Sequence, residues 1–539
     1  MSNLLTHAVV EGSFRQVMAG AVAVGRVNPH STIEVTLKVR RKKALPALNG
    51  RPKKIMTRED LAKTYGANET DIKKVVESFE KFGLRCKVSN AATRTVDLIG
   101  TVKDMEEAFL VTLFNYTHRD GNYRGRVGNL HVPIELKDLV EGVFGLDNRR
   151  VARRRRTPMA HNTASHALTA VPSSWYKPSE LAVHYSFPDG DGTDQCVAVL
   201  EFGGGYFESD LNEFCQLVGI AEPIVNPISV DGTATNSRDG SEGEVMLDIE
   251  VIAGVCPKAT IAVYFAQFTE RGWIQSIDAV TQDKVNNPSV VSVSWGYAED
   301  ALIWTNQAMT QINSTLQEAA HLGITVCVAA GDDGSSDGIK DGHAHTDFPS
   351  SSPYVISVGG TTIPVKGGTQ TDIVWFEGDG LRQDNGGSTG GGVSAYLPRP
   401  TWQSGININS VNPGAIAGRI IPDISANADW NASPYLLVVD GGAQPNGGTS
   451  AATPLVAALF VLINQSMQPK RVGYVTPLFY GKTAAGDSIV GAVTCTEVVS
   501  GNNNTATVGG YAAGPGYNAA SGWGTPNGQA MIAAFKQLI

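Results

Sequence analysis

Five short, predominantly apolar runs dominate the middle of this chain: Val197–Leu200, Thr260–Tyr264, Val290–Ser294, Ile324–Ala330 and Tyr354–Val358. A strand apolar on both faces must be covered on both, and the segments between these runs are long enough for crossover helices. The pattern predicts an α/β domain built on a doubly wound, mainly parallel sheet. At 539 residues the chain exceeds one ordinary core, so a second domain is expected.

Charge divides the chain in the same way. Residues 1–160 hold 29 Lys and Arg against 17 Asp and Glu, a net +12, and the remainder holds 14 against 35, a net −21. In the basic part, Thr57-Arg-Glu-Asp60 and Asn68-Glu-Thr-Asp71 read as helix starts, and Ile72, Val75, Val76 and Phe79 form an apolar stripe. The strand-like runs Ile33–Val39 and Thr93–Ile99 alternate with them, so residues 1–150 are expected to form a smaller α+β domain. Residues 151–171 begin with Val-Ala-Arg-Arg-Arg-Arg and continue through Ser, Thr and Ala, which reads as an exposed, cleavable linker to a domain spanning 172–539.

Ser450 stands in Gly447-Gly-Thr-Ser-Ala-Ala-Thr-Pro454, a Gly-rich turn that delivers a hydroxyl to the start of the apolar helix through Leu455, Val456, Ala458, Leu459 and Leu462. The N–H groups of such a helix end favour negative charge developing beside the serine oxygen. A serine nucleophile needs a base. Beyond residue 172 the chain offers only His184, His321, His343 and His345, none in a His-Gly-Thr-His segment. Glu244 and Asp248, four residues apart in the apolar run Glu244–Gly254, share one helical face. Buried there, two carboxyls titrate as a coupled pair, one ionised while the other keeps its proton. A further carboxyl, Asp332, follows the strand Ile324–Ala330, where α/β sheets place their sites.

Together these segments resemble the sedolisin family, the serine-carboxyl peptidases, and most nearly its kumamolisin-like bacterial members. Gly447–Pro454, Glu244–Asp248 and Ala329-Ala-Gly-Asp332 carry the resemblance, with Leu200–Tyr206, Ser294-Trp-Gly296, Asp347-Phe-Pro349, Gly386–Ser394 and Val143–Asp147. The resemblance implies a subtilisin-like catalytic domain behind an inhibitory, chaperone-like prosegment. It makes Ser450 the nucleophile, Glu244 the general base, Asp248 its supporting acid and Asp332 the oxyanion donor, with Glu201 and Trp295 extending the network. The implied activity is an acid-active endopeptidase that processes itself, acts on peptides or proteins and works as a monomer. A carboxylate base suits that chemistry, since an ordinary histidine with a pKa of about 6.5 is protonated at low pH whereas a carboxylate near 4 is poised there.

The family binds one structural Ca²⁺ through two aspartates and three backbone carbonyls. The matching positions here are Glu497, Val498, Gly514, Gly516 and Asn518, so both aspartates are altered and a weakened calcium site is expected. The six cysteines lack any Cys-x-x-Cys spacing and imply neither zinc nor disulfides. Residues 1–25 contain no clear export signal and no segment reads as membrane-spanning, yet an acid peptidase with a prosegment points to secretion. His343 and His345 form a possible metal pair. Two other functions compete: an inactive scaffold of the same fold, and nucleic-acid binding through Lys38–Lys43 and Arg149–Arg156, which lack interleaved stacking aromatics.

Overall fold

The computed structural model describes residues 6–119, 121–151, 153–154, 171–382, 386–506 and 508–539. Strands β1 (Thr32–Val39), β2 (Arg85–Asn90), β3 (Thr95–Thr101) and β4 (Val140–Phe144) form an antiparallel sheet in the order β2-β3-β1-β4. Helix α1 (Arg58–Tyr65) starts at Thr57, whose hydroxyl accepts the Asp60 N–H. Helix α2 (Glu69–Glu80) starts after Asn68 without a side-chain cap bond. Ile72, Val75 and Phe79 of α2 join Val102, Met105 and Phe109 of α3 (Val102–Phe109) over the sheet.

The period-2 pleat of β1 explains why both its faces are buried. Val35, Leu37 and Val39 enter the core of the first domain, while Thr36 and Lys38 point the other way, toward the later, larger part of the chain. There Arg271 and Gln275 donate to the Thr36 hydroxyl, and Lys38 Nζ meets Asp278 at 2.8 and 2.6 Å. These three partners recur at helical spacing along one face. Four residues of the basic runs considered for nucleic acid are engaged in such pairs: Lys38 with Asp278, Arg40 with Asp71, Arg41 with Glu318 and Arg149 with Asp147. Of the expected linker, the described residues beyond Val151 are β5 (Arg153–Arg154) and Val171; residues 152 and 155–170 lie outside them.

The large sheet contains β6 (Cys196–Glu201), β7 (Val225–Ser229), β8 (Thr260–Phe265) and β9 (Val290–Val293). The chain leaves it as β10 (Trp295–Ala298) and returns as β11 (Thr325–Ala329), β12 (Ile356–Thr362), β13 (Ile373–Val374) and β14 (Ile424–Asn427). The order is β7-β8-β6-β9-β11-β12-β13 with β14 also on β12, every pairing parallel except β12 with β13. Each of the five apolar runs is a strand of this sheet, as the doubly wound reading requires.

Helix α4 (Glu242–Val255) and the later core helix cover one face, and α5 (Glu270–Gln282) and α6 (Asn306–His321) cover the other. The core helix, α7 (Thr449–Met467), is long and apolar enough to cross a membrane by composition, but it is 89% buried inside the protein and packs on α4 and the sheet. An all-round apolar helix belongs in such a core. None of the six cysteines is paired.

Candidate active site

Three strand ends and two helices converge at Ser450. The backbone turns into α7 at Gly448, whose φ of +89° is a left-handed conformation that disfavours a side chain. Ser450 is then the second residue of the helix, so its own N–H has no intrahelical acceptor. Its Oγ is buried and takes no hydrogen bond within the described chain.

Asp332 lies beyond the C-terminal end of β11 and is fully buried. Its Oδ1 accepts from the Thr449 N–H at 2.8 Å and the Thr449 hydroxyl at 2.6 Å, tying the carboxyl to the residue before Ser450. The Gly-rich segment 386–394 closes the other side. The Ser388 N–H donates to the Asp332 carbonyl, and the Gly390 N–H to that of Gly331. A Cβ on Gly390 would stand 1.9 Å from the Ala330 carbonyl oxygen, so only glycine permits that approach. Arg382 Nε donates to Asp333 Oδ2 at 2.8 Å and fixes the turn from behind.

Glu244 and Asp248 project from the first two turns of α4, both buried, as the four-residue spacing predicts. The Ser294 hydroxyl, at the end of β9, donates to Asp248 Oδ1 at 2.7 Å and lies 3.2 Å from the Ser450 carbonyl oxygen. Trp295 Nε1 donates to Glu201 Oε2 at 2.8 Å. Burial pushes the Asp248 carboxyl well above the usual carboxylate range; Glu244's charge pushes the same way, against the Ser294 hydrogen bond. Burial also raises Glu201, followed by the charge of Asp248, with the Trp295 bond opposing. Burial and mutual repulsion thus keep protons on Asp248 and Glu201 where isolated acids would lose them.

The sign of that effect sets a stability test. A carboxyl whose folded pKa is raised binds its proton more readily folded than unfolded, so its contribution is complete at acid pH and declines as pH rises above about 4. The melting temperature of the Ser450→Ala chain should therefore fall from pH 4 toward pH 8, and Glu201→Gln should flatten part of that fall. An unchanged slope would contradict the raised Glu201.

The histidines are engaged elsewhere. His184 Nε2 lies 3.0 Å from Asp372 Oδ1, His321 Nε2 lies 3.0 Å from the Pro46 carbonyl, and His343 and His345 both lean on Asp341. Sequence reasoning missed Ser294 and Thr449 as positioning groups, although both adjoin quoted residues. Their signal is only a hydroxyl beside Trp295 and another beside Ser450.

The expected calcium residues do not fit the ion. Glu497 Oε1 accepts the Gly516 N–H at 3.0 Å, and the Asn518 amide nitrogen donates to the Val498 and Gly514 carbonyls. A donor thus stands against two of the carbonyls expected to ligate a cation, and hard Ca²⁺ requires oxygen.

The chain matches two family descriptions, the subtilase family over residues 229–524 and the pro-kumamolisin activation domain over residues 19–149. It is 39% identical to kumamolisin of Bacillus sp. (strain MN-32), with 98% of this chain and 96% of that one covered. It is 30% identical to sedolisin of Pseudomonas sp. (strain 101), over 88% of this chain and 79% of the other. The solved Pseudomonas sedolisin, described as a serine-carboxyl proteinase complexed with two molecules of pseudo-iodotyrostatin, superposes with a TM-score of 0.57 at 28% identity, covering 67% of this chain and 98% of that one. This chain belongs to the sedolisin family of serine-carboxyl peptidases, with a subtilisin-like catalytic domain behind the family's activation prodomain.

Proposed function

We propose that the chain is an acid-active serine endopeptidase made as a self-processing proenzyme. Ser450 Oγ attacks the scissile carbonyl, Glu244 takes the hydroxyl proton, and Asp248 holds Glu244 and shares the pair's proton. The acyl-enzyme forms as the amine leaves with that proton, and water then hydrolyses it by the reverse relay. Asp332, protonated, donates to the tetrahedral oxyanion beside the Ser450 N–H. Its Oδ1 is occupied as acceptor of both Thr449 donors, so the proton belongs on Oδ2. Glu201 and Trp295 position the pair from behind.

The observation that supports this reading best is the convergence of three buried carboxyls and a helix-start serine, with the four histidines beyond residue 172 engaged elsewhere. Asp332 supplies the test. Asp332→Ala should lower kcat/KM by about 100-fold or more, while Asp332→Asn, still a donor, should keep partial activity with a weakened alkaline limb. Equal losses in both would argue against the donor role. The same present groups weigh against an inactive scaffold.

Residues 1–150 serve in this proposal as an intramolecular inhibitor, residues 151–171 as the cleaved linker and 172–539 as the peptidase. Support comes from β5, which pairs antiparallel with β10, Arg153 opposite Gly296 and Arg154 opposite Trp295. Backbone pairing beside Ser294 is how an extended peptide would approach Ser450. Acidification weakens the attraction between the basic prosegment and the acidic domain. Glu34 works with that trend: Lys87 of its own sheet and then Arg271 across the contact hold its carboxyl below the usual range, and the Arg271 share of that attraction is present above about pH 4.5 and lost as pH falls. Asp278 works against it. Burial holds its carboxyl up at about 6 despite Lys38, so the docked form takes up a proton that a released one would not. Release is therefore a balance, and the enzyme is expected to be exported and monomeric.

A further inference from the structure

We infer that the side-chain amide of Asn518 replaces a divalent cation in this chain, cross-linking the C-terminal loops by hydrogen bonds so that they need no metal. The argument rests on which end of the amide faces the ligand carbonyls. Asn518 Oδ1 accepts three donors: the Ala520 N–H at 3.1 Å, the Ser521 N–H at 2.9 Å and the Ser521 hydroxyl at 3.0 Å. Three donors on one oxygen fix the amide's orientation, because a nitrogen there would face hydrogens. The –NH₂ group must then point the opposite way, and it does, 3.4 Å from the Val498 carbonyl oxygen and 3.3 Å from that of Gly514.

An aspartate in the same conformation would present an oxygen to that space, leaving two carbonyls and a carboxylate facing one another, an arrangement that only a cation relieves. The amide supplies two hydrogens instead and satisfies both carbonyls with no ion. Glu497 completes the change. Its carboxylate accepts the Gly516 N–H, closing the outer loop onto the segment before Val498.

The cross-link has a structural task. Asn518 pairs with Gly522 through mutual backbone bonds, the Trp523 N–H donates to the Asp423 carbonyl, and the Ser425 N–H donates to that of Gly524. Residues 423–425 open β14, which lies beside β12 in the large sheet. Loops 495–498 and 514–524 therefore brace the sheet edge near the Gly-rich segment, and Asn518 is the buried pin between them, 7% exposed.

The test is thermal melting of the full chain carrying Ser450→Ala, which prevents self-digestion, in millimolar CaCl₂ and in EDTA. The parent should melt within about 1 °C in both, and calorimetric titration with Ca²⁺ should show no binding. Asn518→Asp should melt lower in EDTA by roughly 5 °C and recover in calcium, because it swaps two hydrogen bonds for an ion-dependent oxygen. Asn518→Ala should melt lower in both, with no recovery. A parent that loses several degrees in EDTA, or that binds Ca²⁺ in the titration, would overturn the inference. So would an Asn518→Ala chain as stable as the parent. Should Asn518→Asp fail to fold, the parent's melting and titration decide alone.

Discussion

Ser450→Ala should abolish both peptide hydrolysis and self-processing while leaving the zymogen folded. The change removes one oxygen from a helix start that is built by Gly448, tethered through Thr449 to Asp332 and packed on α4. None of those contacts uses the hydroxyl, which makes no hydrogen bond within the described chain. Loss of a nucleophile that acts as a unit with its base costs about 10⁶-fold in kcat in a comparable serine peptidase, leaving only oxyanion and binding effects. The purified variant, incubated at acid pH, should remain full-length on a gel with a melting temperature within about 1 °C of the parent measured at a pH where it stays intact. Maturation of the pure variant would show that another group attacks.

The second large effect lies far from the catalytic chemistry. Asp278→Asn should loosen the prosegment, since Lys38 would be left as a buried ammonium with only the Thr93 carbonyl and an amide for company. Breaking one side of a buried ion pair costs about 3–5 kcal/mol, equivalent to a weakening of two to three orders of magnitude or more in docking. The full chain should then mature at a higher pH within the acid range than the parent does. The paired change Lys38→Met with Asp278→Leu should return docking toward the parent's strength, because it removes both charges together. It should also move acid release to higher pH, because Asp278's proton uptake, which favours docking between about pH 4 and 6, is gone. Latency unchanged in the single variant would mean that the pair contributes nothing to docking.

The large sheet was legible because strands covered on both faces need apolar residues throughout, and a continuous run such as Ile324–Ala330 has few other uses. Glu244 and Asp248 were legible for a similar reason: two acids one turn apart in a largely apolar helical run cannot both be solvated when their neighbours are buried. Lys38 was not. In the sequence it opens a basic run, and only the pleat of β1 separates it from its solvated neighbours and turns it toward Asp278, 240 residues away. Ser294 escaped for another reason, since a strand-end serine is common and its two acceptors come from α4 and α7. The calcium positions were read from spacing alone, whereas the orientation of the Asn518 amide depends on the donors that hold its far end.

The central claim is that a carboxylate, and no histidine, activates Ser450. The dependence of kcat/KM on pH from 3 to 8, measured on one peptide substrate with the mature enzyme, tests it most directly. A bell with its maximum in the acid range and little activity above pH 7 is predicted, reporting the Glu244 and Asp248 pair on one limb and the Asp332 proton on the other. A profile that rises through pH 6.5 to a plateau at neutral pH would contradict it, for that is the titration of an imidazole base.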